Sequence, residues 1–277
     1  MQTIESLLRE ARSRLSGDEV VEESERLMED ICGVSRTRQF SHPEDELTDE
    51  QVNRFLVAVE RRADGEPLAY ITGRRGFWDM SLNVARGVLI PRPDTECLVE
   101  QALERIPAGV KWQVLDLGTG SGAVAIAIAR ERMLCQVTAT DISANALDIA
   151  RENAASNGTG KIEFICGYWY LPLSGREYDV IVCNPPYICS DDPHLKLGDL
   201  PSEPSFALVA GSDGLDAIRQ IIEDAPGYLK AGGWLLLEHG YNQAGAVQAL
   251  LKEAGFTDVF TRKDHGGQDR VSGGKNA

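Results

Sequence analysis

Val114-Leu115-Asp116-Leu117-Gly118-Thr119-Gly120-Ser121-Gly122 begins as an apolar strand and runs into a glycine-rich turn. The glycines let the backbone bend sharply out of the strand and approach a ligand without Cβ atoms in the way. About sixty residues later, Ile181-Val182-Cys183-Asn184-Pro185-Pro186-Tyr187 has the same plan with a different ending, a strand that stops at a stiff Asn-Pro-Pro-Tyr loop. In an open parallel sheet, ligands bind outside the carboxyl ends of the strands. Two such endings on neighbouring strands would face one pocket, one holding a cofactor and the other a substrate.

Outward from these stretches, strand-like and helix-like segments alternate. Strands are predicted at 112–117, 135–140, 161–166, 178–183, 233–239, 256–262 and 268–272, and helices near 122–132, 143–156, 214–229 and 243–254. This rhythm predicts an α/β fold with a mostly parallel seven-stranded sheet covered on both faces. Too little chain separates the last two strands for a crossover helix, so the final one is expected to be antiparallel. Gly273 to Ala277 reads as a disordered tail.

Residues 1 to about 65 have helical periodicity. Ile4, Leu7, Leu8, Ala11 and Leu15 form one apolar face, and Val20, Ser24, Leu27, Met28 and Ile31 repeat it up to Gly33. Thr48-Asp49-Glu50-Gln51 is a capping box that opens a third helix, with Val52, Phe55, Leu56 and Val59 as its buried side. From Pro67 to Ile90 the short β-rich runs Leu68-Ala69-Tyr70-Ile71, Gly76-Phe77-Trp78 and Leu82-Asn83-Val84 predict a hairpin. The expected organisation is a small all-α domain over 1–66, a β-hairpin linker over 67–90 and an α/β domain over 91–277. At the junction, Ile90-Pro91-Arg92-Pro93-Asp94-Thr95-Glu96 is stiffened by two prolines, and Asp94 or Thr95 can cap the helix that follows. This segment is either an entrance wall of the pocket or only a helix start.

Bulk properties narrow the function classes. The 277 residues carry a net charge of −15, which argues against a protein that grips a nucleic-acid backbone and suits a basic protein partner. No apolar run approaches the roughly 20 residues of a membrane span, and Met1-Gln2-Thr3-Ile4-Glu5 does not open a signal peptide, so the expected location is the cytoplasm. The six cysteines include no C-x-x-C pair and the four histidines no H-x-x-x-H spacing, so neither disulfides nor a metal site is expected. A monomer is the default expectation.

The glycine loop by itself leaves the cofactor open. Gly118-x-Gly120-x-x-Ala123 also satisfies the dinucleotide pattern, and Asp141 follows at the distance expected of a ribose-binding acid. An adenosine-containing cofactor fits, whether nicotinamide or methyl donor. Asn184-Pro185-Pro186-Tyr187 is sharper. Pro185 holds Asn184 extended, and neither proline has an N–H. The loop therefore presents backbone carbonyls and the Asn184 side-chain oxygen as acceptors beside the Tyr187 ring. Such acceptors suit a planar –NH₂ group, whose lone pair is delocalised and nucleophilicity poor. Holding both hydrogens aims the nitrogen and stabilises the charge that develops on them. In-line positioning adds roughly 7–11 kcal/mol in well-aligned systems. The proton can leave afterwards, so no strong general base is needed.

Asp116 to Gly122 together with Asn184 to Tyr187 resembles the class I S-adenosylmethionine-dependent methyltransferases that act on –NH₂ nitrogen. The helical amino-terminal part, the hairpin, Ile90 to Glu96 and Leu236-Leu237-Glu238-His239-Gly240 narrow the resemblance to the HemK/PrmC family, the release-factor glutamine methyltransferases, over nearly the whole chain. The resemblance implies a Rossmann-like methyltransferase domain and S-adenosyl-L-methionine as methyl donor, with S-adenosyl-L-homocysteine as product. The substrate it implies is the glutamine of the Gly-Gly-Gln motif in bacterial class I peptide-chain release factors, whose methylation modulates translation termination. Gly118, Thr119, Gly120, Ser121 and Gly122 would lie along the methionine and ribose of the cofactor, Asp141 would bind the ribose hydroxyls, and Trp169 would pack near adenine. Asn184, Pro185, Pro186 and Tyr187 would hold the glutamine amide, with Asn184, Pro185 and Tyr187 catalytic and Asn184 also beside the cofactor. The helical domain would help recognise the release factor. Two positions depart from the family pattern: Tyr168, where members often carry Asp, and Pro201-Ser202-Glu203-Pro204, where they often read Arg-Phe-Glu-Pro. The first bears on the adenine edge and the second on the docking surface.

Rival readings are separable by sequence. A DNA adenine methyltransferase also uses Asn-Pro-Pro-Tyr, on a flipped base, but would want a basic cleft. Other protein- or ribosome-directed amide methyltransferases are disfavoured by Ile90 to Glu96 and the amino-terminal helices. An NAD-dependent oxidoreductase leaves Asn184 to Tyr187 without a role, and a non-catalytic binding module needs no cofactor loop.

Overall fold

The computed structural model describes residues 2–277. The chain divides into two compact units: one of residues up to Arg74 together with Lys196–Ser202, the other of Arg75–Leu195 and Glu203–Ala277.

The first unit is helical, with α1 (Ile4–Arg14), α2 (Val20–Cys32), α3 (Arg36–Ser41), α4 (Asp49–Ala63) and α5 (Leu68–Thr72). The apolar faces expected from the periodicity close on one core of Ile4, Leu7, Ala11, Leu27, Met28, Phe55 and Val59. The capping box at α4 is formed: Gln51 N–H donates to Thr48 Oγ1 (3.2 Å) and Thr48 N–H donates to Gln51 Oε1 (3.1 Å). Two features differ from expectation. Leu68 to Ile71 is helix rather than strand, entered from Pro67 and ended by Gly73 in the left-handed region. Four consecutive apolar residues carry no period, and burial of Ala69, Tyr70 and Ile71 decides for helix. In addition, Lys196–Ser202 belongs to this unit, where Arg62 of α4 pairs with both Glu23 of α2 (2.6 Å) and Asp199 (3.1 Å).

The second unit starts within the hairpin β1 (Arg74–Phe77) and β2 (Met80–Asn83), then continues as α6 (Glu96–Arg105), β3 (Gln113–Leu117), α7 (Ala123–Glu131), β4 (Gln136–Asp141), α8 (Ala144–Ser156), β5 (Glu163–Cys166), β6 (Tyr178–Cys183), α9 (Asp216–Asp224), β7 (Leu229–Glu238), α10 (Ala244–Glu253), β8 (Thr257–Lys263) and β9 (Asp269–Lys275). The sheet order is β5-β4-β3-β6-β7-β9-β8, parallel except that β9 runs antiparallel to both its neighbours. Period-2 alternation sends successive residues to opposite layers. Val114, Val180, Val182 and Leu236 meet the α6 and α7 layer, with Ala154 of α8. Leu115, Leu117, Ile181, Leu235 and Leu237 meet Ile218 and Ile221 of α9 and Val247 and Leu251 of α10.

The expected disordered tail is a correction. β9 extends through Lys275, and its glycines lie where side chains could not: a Cβ on Gly273 would meet Leu235 O at 2.6 Å, and one on Gly274 the Phe256 Cβ at 2.8 Å. Strand order reverses at β3 and β6, which are parallel neighbours with Leu117 opposite Cys183. The Cys183 thiol donates to Leu117 O (3.0 Å) and ties the two strand ends together. Such a reversal is where an open α/β sheet leaves a crevice.

Candidate active site

A cavity of 450 Å³ lies beyond the ends of β3 and β6, within the roughly 300–1,000 Å³ of small-molecule sites. Gly118, Thr119, Gly120, Ser121, Asp141, Trp169, Asn184 and Pro186 all line it, so most residues singled out from the sequence converge. Gly122, Pro185 and Tyr187 are not among the lining residues. Gly122 is the left-handed entry to α7, and a Cβ there would sit 3.0 Å from Ile126 Cδ1 and 3.1 Å from Ala150 Cβ, so its glycine lets α7 and α8 approach.

Two buried carboxyls shape the glycine loop. Asp116 Oδ2 accepts from the Thr119 hydroxyl (2.6 Å) and from Ala125 N–H (3.2 Å), joining the loop to the first turn of α7. Burial pushes its carboxyl up to about 7. Asp141 accepts from Gly120 N–H at Oδ2 and from Ser143 N–H at Oδ1, both at 2.8 Å. Burial raises its pKa against the pull of these N–H groups. Trp169, held at φ +43°, lays its ring on the loop, because a Cβ on Gly118 would be 3.2 Å from its Cζ3. The buried Trp169 Nε1 has no hydrogen-bond partner. Tyr168 also lines the cavity, and its hydroxyl donates to Gln220 Oε1 (2.8 Å).

On the other wall, Asn184 Nδ2 donates to Thr95 Oγ1 (3.1 Å), which turns Asn184 Oδ1 away from Thr95. The Tyr187 hydroxyl donates to Glu238 Oε1 (3.2 Å), and burial holds its pKa far above the ordinary value. The Tyr187 carbonyl accepts from Gln243 Nε2 (3.0 Å), and a Cβ on Gly214 would lie 2.3 Å from it, so the loop is clamped at that end.

Ile90 to Glu96 proves to be a wall, since Pro91, Arg92 and Thr95 line the cavity. Of the two candidate caps, Asp94 and Thr95, Thr95 stands at the N-cap of α6 but makes no side-chain capping bond there. Its hydroxyl serves Asn184 instead. Arg92 donates to Ile90 O (3.1 Å) and pairs with Glu203, whose other oxygen accepts from Ile90 N–H (3.0 Å). The departing segment Pro201 to Pro204 therefore contributes a fully buried carboxylate side chain that pins the wall. Glu203→Ala would leave Arg92 and Ile90 N–H without that partner. We expect a stability loss of about 2–3 kcal/mol in urea unfolding, discounted because Arg92 is partly exposed.

From the sequence, Arg92, Glu203 and Glu238 have no individual role, and Thr95 is only one of two candidate caps. One signal was present: Glu238 ends the apolar run Leu235-Leu236-Leu237, where a lone carboxyl faces burial.

Comparison with known proteins decides the family. A model of the PrmC N-terminal domain matches residues 6–73, and one of the methyltransferase small domain matches 94–198. A release factor glutamine methyltransferase of Xylella fastidiosa (strain Temecula1) is 48% identical over 253 residues, 91% of this chain and 92% of that protein. The chain belongs to the release factor glutamine methyltransferase family. The protein of that name in Escherichia coli K12 is 45% identical over 269 residues, 97% of each chain. Among solved structures, a methyltransferase from Pyrococcus furiosus shares the fold with a TM-score of 0.55 at 16% identity, over 79% of this chain and 97% of that one. The fold is the one expected from the two strand-end motifs, and the family the one implied by the resemblance that the amino-terminal helices, the hairpin, Ile90 to Glu96 and Leu236 to Gly240 narrow. Among the described residues, no helix is long and apolar enough to cross a membrane.

Proposed function

We propose that this protein transfers a methyl group from S-adenosyl-L-methionine to the side-chain amide nitrogen of the glutamine in the Gly-Gly-Gln motif of bacterial class I release factors. The observation that carries the reading is that Asn184, with its amide N–H engaged by Thr95, shares one cavity with Gly118 to Ser121. Family membership supports the substrate.

The residues present suit the cofactor. The buried Asp141 carboxylate has acceptor capacity left beside its two backbone bonds, which fits ribose hydroxyls. The Trp169 ring offers an apolar face for adenine. When bound, the cofactor supplies an electrophilic methyl on a sulfonium. The protein's own task is to aim the nitrogen. Asn184 Oδ1 and a backbone carbonyl of the Pro185-Pro186 turn accept the two amide hydrogens, and the Tyr187 ring lies beside the plane. As the nitrogen attacks, positive charge grows on those N–H bonds and the acceptors stabilise it. The proton then leaves to water. The helical unit contributes to release-factor recognition, the acidic surface attracts a basic partner, and the protein works as a monomer in the cytoplasm.

The test is mass spectrometry of a bacterial release factor incubated with the protein and S-adenosylmethionine. One added methyl on the Gly-Gly-Gln glutamine is expected. Cofactor binding without that methyl would overturn the substrate and send the search to duplex DNA and ribosomal proteins.

A further inference from the structure

Behind the catalytic loop lies a buried polar cluster that the mechanism above does not use. Glu238 ends β7 and is 1% exposed. Its Oε1 accepts from Tyr187, while its Oε2 makes no hydrogen bond of standard geometry. The Thr95 hydroxyl lies against the same carboxyl and favours its charged form. Thr95 also accepts from Asn184 Nδ2. One carboxyl thus reaches both functional residues of the loop, Tyr187 directly and Asn184 through Thr95.

We infer that Glu238 and Thr95 are positioning residues that set which way the Asn184 amide faces: the Thr95 hydroxyl donates to Glu238, Thr95 is left to accept from Asn184 Nδ2, and Asn184 Oδ1 is turned to the substrate amide. This rests on the reading of Asn184 as the acceptor for that amide. A hydroxyl has a single proton, and a side-chain amide can be bonded either way round. If Thr95 donated to Asn184 Oδ1 instead, Asn184 Nδ2 would confront the substrate –NH₂, donor against donor. The direction of the relay is therefore decided at Glu238, which accepts when ionised and can donate when protonated.

The groups facing Glu238 are Thr95 and Asp94 ahead of α6, Tyr187 after β6 and Arg270 on β9, with the Cys97 and Cys183 thiols nearby and kept protonated by burial. Arg270 is itself bonded to Asp94 and Asp264, both at 3.0 Å. Burial pushes Glu238 up to about 7, against the opposite pull of Thr95, Arg270 and Tyr187, and Asp94 adds to the rise. Its ionisation therefore falls in an accessible range. The ionised form is the one that directs the relay correctly, so kcat should rise as pH rises through about 7.

The experiment measures kcat, its pH profile and cofactor affinity with a bacterial class I release factor as substrate. Glu238→Gln keeps the shape but replaces one of the two acceptor oxygens with an NH₂, so Thr95 and Tyr187 compete for the one that remains; kcat should fall roughly 10- to 100-fold and the pH step near 7 should vanish. Thr95→Val should fall as far, and Thr95→Ser should recover most of the loss. Cofactor affinity should stay within about threefold in all three, which also reports that they fold. The inference is overturned if Glu238→Gln keeps the wild-type rate or pH step, if Thr95→Ser falls as far as Thr95→Val, or if cofactor affinity drops in step with kcat. Asn184→Ala separates the two levels. Should it be inactive while Glu238→Gln is normal, only this inference fails; should it keep full turnover, the parent reading fails with it.

Discussion

Asn184→Ala should lower turnover by about 100- to 1,000-fold, the loss seen when one preorganised partner of developing charge is removed. Asn184 lines the cavity, and with its Nδ2 donating to Thr95 its Oδ1 is the acceptor proposed for the substrate amide. Alanine removes the acceptor but leaves the Pro185-Pro186 turn, the Gln243 bond to Tyr187 O and the glycine loop in place. Affinity for S-adenosylmethionine, measured by calorimetry, should change by less than about threefold. The informative quantity is the split between the two. Equal losses of turnover and cofactor affinity would mean that Asn184 holds the cofactor rather than the substrate amide.

The mirror-image result is expected at Asp141. Its two oxygens hold Gly120 N–H and Ser143 N–H, so Asp141→Ala removes the brace of the glycine loop along with the acceptor offered to the ribose. Bonds to a charged group contribute about 1.5–3 kcal/mol each, and losing one or two weakens cofactor binding by roughly 100-fold or more. Asp141→Asn should recover little, because its NH₂ would confront one of the two backbone donors. Turnover at saturating cofactor should survive within about tenfold in both variants. Wild-type cofactor affinity in Asp141→Asn would remove Asp141 from the cofactor site.

These two positions mark how far sequence reading reached. Gly118 to Ser121, Asp141, Asn184 and Pro186 were named from strand-end chemistry and Trp169 from the family resemblance, and the fold gathers them around one cavity. The parts it missed are long-range partners. Thr95 meets Asn184 across 89 residues, Glu203 meets Ile90 across 113, and Glu238 meets Tyr187 across 51. A threonine ahead of a helix has the local signature of a cap, and only the arrival of Asn184 gives its hydroxyl another use. The final glycines look like a flexible tail for a similar reason. Lack of side chains suggests disorder in isolation and permits close strand packing once Leu235 and Phe256 are beside them.

The sequence by itself determined the order of strands and helices, the capping box at Thr48, the two loop chemistries and the family. The elements, the cap and the loop chemistries follow from backbone preferences and side-chain periodicity within about twenty residues, and the family from a resemblance carried by motifs spread along the chain. Tertiary structure alone decided that Leu68 to Ile71 is helical, that Ile90 to Glu96 walls the cavity, and that a buried carboxyl at Glu238 stands behind Asn184 and Tyr187. Hydrogen-bond direction and ionisation depend on which groups meet and how much water remains between them, and that is settled only when distant segments pack.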